Sequence, residues 1–413
     1  MINKIKDTLG ISQLTTFYQA IISVKTHEII AYEALVRAWN TSNELMSPDT
    51  LFINAHKKQC IRELDHICQV HAIKMFAKEQ TAKRKILSLN LPNYLFSDNK
   101  NQHSILDLVH NLQFDKDLLM LEICEDDVTD EAKLLEFVQL CHEKKILVAI
   151  DDLGKKFSNL DRLVMLLPDV VKLDRCLIKN IHKNRMQQAV VKSMVELCNS
   201  MGSLLLAEGT ETKEEVLCLL DLGINYFQGF YFSHPAPESE FHFNENRILS
   251  IIENTGNEFV ANCKINLQHK RLFWEMVSQK AKFICNQLSK SQEALQKTEL
   301  RKALLFFENA DCAYILDQKG IQVSATVFQE EKKSYSTNKF FAPAIPGTDH
   351  SQKDYFIYLK PWTEEMAKKI ELRPDFISHR YRSMATGTTC QTFCCWFTDV
   401  TQKPFILCLD FTS

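Results

Sequence analysis

The sequence predicts an α/β protein: a TIM-like (β/α)8 barrel, then a helical stretch, then a small α/β unit with an antiparallel sheet. Short apolar runs alternate with longer amphipathic segments from about residue 15 to 235. Many of those runs end in a carboxylate, an amide or a lysine. Past Pro235-Ala236-Pro237 the alternation stops, and short strand-like runs return only near the C-terminus. At 413 residues the chain exceeds one ordinary core and has room for two or three domains.

The apolar runs are IISV (21–24), KILSLNL (85–91), LLMLEIC (118–124), ILVAIDD (146–152), VVKLD (170–174), LLLAEG (204–209) and YFQGFYF (226–232). Many carry Val, Ile and Leu on both faces, which suits strands buried on both sides. Between them lie EAKLLEFVQLCHEKK (131–145) and MQQAVVKSMVELCNSMG (186–202), which read as helices. Such alternation over more than 200 residues fits a (β/α)8 barrel. The polar ends are Asn90, Glu122, Asp151 with Asp152, Lys172, Glu208 and Gln228, and Glu33 follows the same habit in IIAYEALVR. In a parallel barrel the strand C-termini converge on one rim, where active sites sit. A single carboxylate at a strand end is more often a cap or a surface charge. A set spread over seven runs is hard to obtain from capping alone.

Residues 241–303 read as helical, with Ile248, Ile252, Phe259, Phe273, Val277, Ile284 and Leu288 at loose helical spacing. Two readings stand: a connecting segment with a dimer seam, or helices packed on the second domain. The expected division is 1–240, 241–303 and 304–413. In the last part CAYILDQKGIQVSATVF reads as strand, turn at Gln318-Lys319-Gly320, and strand. CQTFCCWFTDV and PFILCLDF supply two more strands.

Composition is that of a globular chain, 45% hydrophobic and 24% charged. A net charge of -3 gives no support to binding of a nucleic-acid polymer. No run of about 18 uncharged apolar residues appears, so no membrane insertion is expected. The start MINKIKDTLG lacks a signal-peptide core. The fourteen cysteines are scattered without zinc spacing and fit buried, reduced thiols in the cytoplasm. Cys394-Cys395 sits in an aromatic strand-like run, where a core role outweighs redox chemistry.

The strings YEALVR (32–37), LSLNLP (87–92), LEICED (121–126), AIDDLGKKFSNLDRL (149–163), VVKLDR (170–175), LLAEGTET (205–212) and YFQGFYFSHPAP (226–237) resemble, in order, the motifs of the EAL domain family. The resemblance spans roughly 220 residues. A barrel ahead of a last segment similar to PAS or Cache folds also resembles a known arrangement of such proteins. The resemblance implies metal-dependent hydrolysis of cyclic di-GMP to pGpG, by a homodimer, with the C-terminal domain as regulator. It implies Mg²⁺ or Mn²⁺, two per site. Glu33, Asn90, Glu122 and Asp151 would hold one ion, and Asp151 with Asp152 and Glu211 the second. Lys172 would hold the nucleophilic water, and Glu208 would be the general base or an orienting group. Arg37, Leu35, Gln228 and Asp174 would contact substrate, and Glu125 would anchor the loop after Asp152.

The chemistry agrees. Phosphodiester cleavage needs a strong nucleophile and shielding of phosphate charge, and oxygen ligands suit hard divalent ions. Carboxylates crowded in one mouth repel one another without cations. The loop departs from the family's pattern: DDLGKKFSNL has Leu153 for Phe, Lys155-Lys156 for a small pair and Asn159 for Ser. The two lysines are either a solvated face or a contact to phosphate or a partner's loop. A catalytically silent receptor for cyclic di-GMP therefore stands beside the enzyme reading. In the last domain Arg380, Tyr381 and Arg382 either meet a small acidic ligand or belong to a packing unit without one.

Overall fold

The computed structural model describes residues 2–79, 84–92, 95–96, 104–124, 130–155, 160–291, 297–329, 342–359, 375–383, 385 and 387–412. The chain divides into two compact units, Met1–Cys263 and Lys264–Ser413.

The first unit is a closed barrel. Its strands are β1 (Ile11–Ser23), β2 (Glu28–Asn40), β3 (Leu45–Met46), β4 (Ile86–Leu91), β5 (Leu119–Cys124), β6 (Leu147–Leu153), β7 (Val170–Leu173), β8 (Leu204–Ala207) and β9 (Tyr226–Phe227). They run in the order β1-β9-β8-β7-β6-β5-β4-β2, with β1 paired back to β2 and β3 appended to β2. From β2 through β4 to β9 neighbours are parallel. β1 is the exception, antiparallel to both β2 and β9. An all-parallel ring was the expectation. The reversal follows from the short turn between Ser23 and Glu28, because parallel neighbours need a long crossover and a tight hairpin cannot supply one.

The central strands read as expected because both faces are buried. Leu121, Ile123, Val148, Ile150, Val171 and Leu173 belong to one continuous core with the surrounding helices. The helix Glu131–Glu143 starts where the Asp130 side chain accepts from Lys133 N, and Arg185–Met201 ends at Gly202 in the left-handed region. Of YFQGFYF, which the sequence predicts as a strand, only Tyr226–Phe227 pairs. The next residues fold onto the 208–212 loop: Thr210 N donates to Gln228 O, and Tyr231 N to Thr210 O.

The second unit holds part of the helix Phe241–Leu288, the helix Lys297–Leu304 and a six-stranded antiparallel sheet. Its strands are β10 (Ala310–Leu316), β11 (Val327–Phe328), β12 (Phe376–Ile377), β13 (Tyr381–Arg382), β14 (Thr389–Thr398) and β15 (Pro404–Thr412). The order is β11-β10-β15-β14-β12, with β13 on β14. The expected hairpin after the Gly320 turn is only partly formed, since β11 pairs β10 at just two positions. Next to the turn the backbone stays paired, Asp317 N donating to Ile321 O and Val323 N to Ile315 O, and side chains add to it. Ser324 Oγ accepts from Ile315 N, and Gln322 Nε2 donates to Ser324 O and Ala344 O. Nine of the fourteen cysteines, all free thiols, are buried. No helix among the described residues is long and apolar enough to cross a membrane.

Candidate active site

Seven parallel strands bring their polar ends to one rim. Asn90 lies beside Glu122 across β4 and β5, and Cys124 beside Asp151 across β5 and β6. Lys172, 1% exposed, is the centre of the cluster. Its Nζ lies 2.7 Å from Glu122 Oε2, 2.5 Å from Glu208 Oε1, 3.5 Å from Asp151 Oδ1 and 4.0 Å from Glu33 Oε2. Asn90 Nδ2 donates to Glu33 Oε1 at 2.8 Å, and Gln228 Nε2 to Glu33 Oε2 at 2.5 Å.

Asp151 and Asp152 are adjacent, so a regular strand would send them to opposite faces. Register in β6 slips between Ile150 and Leu153, and Asp152 takes a left-handed φ of 62°. The bulge brings carboxylate oxygens of Asp151, Asp152 and Glu208 within 4.8 Å of one another, a set able to hold a metal ion.

Four carboxylates thus face Lys172, and the fifth, Asp152, pairs through Oδ2 with Lys155 Nζ at 2.8 Å. Burial pulls the Lys172 pKa down, and the carboxylates around it more than reverse this, so it stays charged. Glu122 is pushed up to about 8 by burial and by the Glu33 charge, against the pull of Lys172. Burial also raises Asp151 and Glu208, with neighbouring carboxylates adding to it. At Glu33 burial is outweighed by Lys172 and by the Gln228 and Asn90 hydrogen bonds, and its pKa lies below the usual value. Groups held this far from their ordinary ionisation mark an excess of buried negative charge that a divalent cation would relieve. Gln228 Oε1, buried and without a hydrogen-bond partner among the described residues, adds a free acceptor. The donor set, all oxygen, fits a hard cation.

The remaining predicted residues lie around this centre. Leu35 lines a groove of about 300 Å³ with Asn90, Phe52, Asp49, Asp65 and Gln69. The Arg37 guanidinium sits 5.7 Å over the Phe17 ring and donates to Val36 O at 2.8 Å. Burial lowers its pKa, with the Glu33 charge opposing. Glu211 stands outside the clustered carboxylates and pairs with Arg175 at 2.5 Å. Asp174 also stands outside them, its Oδ1 accepting from Cys176 N at the start of a short helix. Glu125, Lys156 and Asn159 lie outside the described residues.

Supporting residues were missed in the sequence. Ser88 Oγ donates to Glu122 Oε1 at 2.5 Å, and its place two residues before Asn90 on one strand was the available signal. Gln19, opposite Glu33 in the β1–β2 register, accepts from Gln228 Nε2 at 3.2 Å. Buried Glu215 accepts from the backbone of Asn180, Glu211 and Thr212 and ties down the loop after Glu208.

The EAL domain model matches residues 2–235. The chain belongs to the EAL domain family. It is 25% identical over 406 residues to YkuI of Bacillus subtilis, an uncharacterized EAL-domain containing protein, covering 95% of this chain and 94% of that one. The probable cyclic di-GMP phosphodiesterase PdeN of Escherichia coli is 27% identical over 237 residues, 55% of this chain and 45% of its own. The cyclic di-GMP phosphodiesterase RocR of Pseudomonas aeruginosa is 26% identical over 238 residues, 55% of this chain and 59% of its own. The crystal structure of YkuI in complex with cyclic di-GMP and calcium superposes with a TM-score of 0.77 at 21% identity, over 100% of this chain and 98% of that one. At that identity the likeness is one of fold.

Proposed function

We propose that the EAL barrel of this chain hydrolyses cyclic di-GMP to pGpG with two divalent cations, Mg²⁺ or Mn²⁺, and that residues 304–413 form a PAS-like domain that regulates it. The observation that carries the reading is the bulge in β6, which gathers Asp151, Asp152 and Glu208 beside the charged Lys172. Glu33, Asn90, Glu122 and Asp151 would hold one ion, and Asp151 and Asp152 with Glu208 nearby the other, with Glu211 farther out on Arg175. Bound there, the ions would supply an activated water and shield the phosphate.

The protein's own residues do the rest. Lys172 Nζ, held by four carboxylates, donates a hydrogen bond to the attacking water and keeps its lone pair aimed at phosphorus. Glu208, with its raised pKa, takes the water's proton or orients it. Arg37 has no carboxylate partner among the described residues and offers its guanidinium to a phosphate. Leu35 and the groove beside Asn90 receive a base, Gln228 fixes Glu33, and Asp174 borders the substrate. Exposed Leu160, Val164 and Leu167, next to the altered loop, give the barrel an apolar face for a homodimer.

One observation favours a second reading, a receptor that binds without turnover. Lys155, where the family has a small residue, neutralises Asp152 Oδ2 and competes with a cation for it. Incubating purified protein with Mg²⁺ or Mn²⁺ and cyclic di-GMP, then separating products, decides between them. Formation of pGpG that disappears in Glu33→Ala supports the enzyme; tight binding with no product supports the receptor. Turnover gained in Lys155→Gly would assign the block to that lysine.

A further inference from the structure

Within the second unit the helix Phe241–Leu288 has two apolar faces. One lies in the core, where Val277, Ala281, Ile284, Cys285 and Leu288 pack under the sheet. The other meets solvent: Ile265, Leu272, Met276 and Phe283 are 49, 62, 45 and 53% exposed. Scattered exposed apolar side chains are ordinary, and Leu267, 66% exposed, lies off the line, but these four fall in one stripe. They are separated by seven, four and seven residues. That is the spacing of heptad positions d, d, a and a, with His269 and Gln279 filling the intervening a and d places. The stripe is about 27 Å long at a helix rise of 1.5 Å per residue. Phe306, also exposed, extends it at one end, its ring lying 6.0 Å from that of Phe283.

The flanking charges say what covers it. In a parallel, in-register pair of helices, a g residue of one faces the e residue five positions on in the other. Here Glu275 is at g and Lys280 at e, so two opposite-charge pairs form across a two-fold axis. The other facing positions, Gln268 with Phe273 and Lys282 with Gln287, oppose no like charges. Glu275 is already held at 2.7 Å by exposed Arg271, one helical turn back. Lys280 Nζ donates to Phe306 O at 3.1 Å and keeps further donors. We infer that residues 265–283 form a seam with a second copy of this chain, a parallel two-fold helix pair. His269 and Gln279 fix its register at some expense of affinity. The seam is separate from the barrel face at Leu160, Val164 and Leu167 and does not depend on catalysis.

Full-length protein carrying Leu272→Cys or Met276→Cys, each alone, tests it. Across a two-fold seam each new thiol meets its own copy, within reach of a disulfide. After mild oxidation, non-reducing gels and peptide mapping should show a 272–272 or 276–276 crosslink at least tenfold above that of Lys270→Cys, off the stripe. The wild-type chain, with its exposed Cys176, sets the background. Adding Glu275→Lys should cut the Met276→Cys yield several-fold at low salt, and adding Lys280→Glu as well should restore it. Yields at 272 and 276 no higher than at 270 overturn the seam. Yields that ignore both charge reversals overturn the parallel pairing. Neither readout uses turnover, so the phosphodiesterase reading can fail without touching this one.

Discussion

Replacing Lys172 with methionine removes an ammonium buried among Glu33, Glu122, Asp151 and Glu208, at 2.5 to 4.0 Å. Methionine keeps the length of the stem and fills the space, so the change is one of charge. Breaking a buried ion network by deleting one partner costs about 3–5 kcal/mol, because the remaining charges stay desolvated. Glu122 and Glu208, already raised in pKa, cap the loss by taking up protons. For a unit of barrel size each kcal/mol lowers the midpoint by about 2–4 °C, so the barrel transition should fall by about 6–20 °C in EDTA. Millimolar Mn²⁺ should recover much of this, since a cation replaces the missing charge. The assay is calorimetry of wild type and variant with and without metal, alongside pGpG formation, which should drop at least a hundredfold. An unchanged barrel midpoint in EDTA would refute the claim that Lys172 neutralises the cluster.

The other predictions concern support and pH. Ser88→Ala removes the buried hydrogen bond to Glu122 Oε1 and should weaken Mn²⁺ binding about 10–100-fold by calorimetric titration with little change in fold. Gly229→Ala puts a Cβ 2.1 Å from Thr210 O, so the loops carrying Gln228 and Glu208 must part; cyclic di-GMP affinity should fall at least tenfold, and unchanged affinity would show the loops are not coupled. In the second unit buried His350 is held down at about 4 by burial, bonded to Tyr355 and Gln322. The unfolded chain protonates it near 6.5, so its contribution, about 3 kcal/mol, is present above pH 6.5 and lost as pH falls toward 4. Asp410, raised to about 6 by burial, works in the opposite sense, since its folded form gains stability as pH falls from 6 to 3.8. The stability difference between wild type and His350→Gln in urea unfolding should therefore shrink from pH 7 to pH 4; a constant difference would be contrary to this account.

Much of the barrel was legible because Val, Ile and Leu on both faces of short runs allow few structures other than central parallel strands. Asn90, Glu122, Asp151, Lys172 and Glu208 were legible because each ends such a run. Direction was not: β1 has the same apolar content as its neighbours, and only the short turn before Glu28 decides that it runs backwards. The joint use of Asp151 and Asp152 was hidden because it depends on a bulge, a backbone event with no signature in two adjacent aspartates. Ser88 and Gln19 escaped notice as ordinary strand residues whose partners lie 34 and 209 positions away. In the second unit, Gln322 and Ser324 look like strand residues, but Gln322 bonds to Ala344 and His350 and Ser324 Oγ to Ile315 N, so the strand after the turn does not run on as a regular ladder.

The ring closes between β1 and β9, where only Ile22 with Phe227 and Ser23 with Tyr226 are paired. During translation the first strand must wait for more than two hundred residues to leave the ribosome before its last neighbour arrives. That junction, like the one between β8 and β9, is paired at only two positions, so amide protons there should exchange with deuterium sooner than those of β5 and β6. Gln228 bonds Gln19 across the same junction and also holds Glu33, so any breathing of the wall is felt first at that carboxylate.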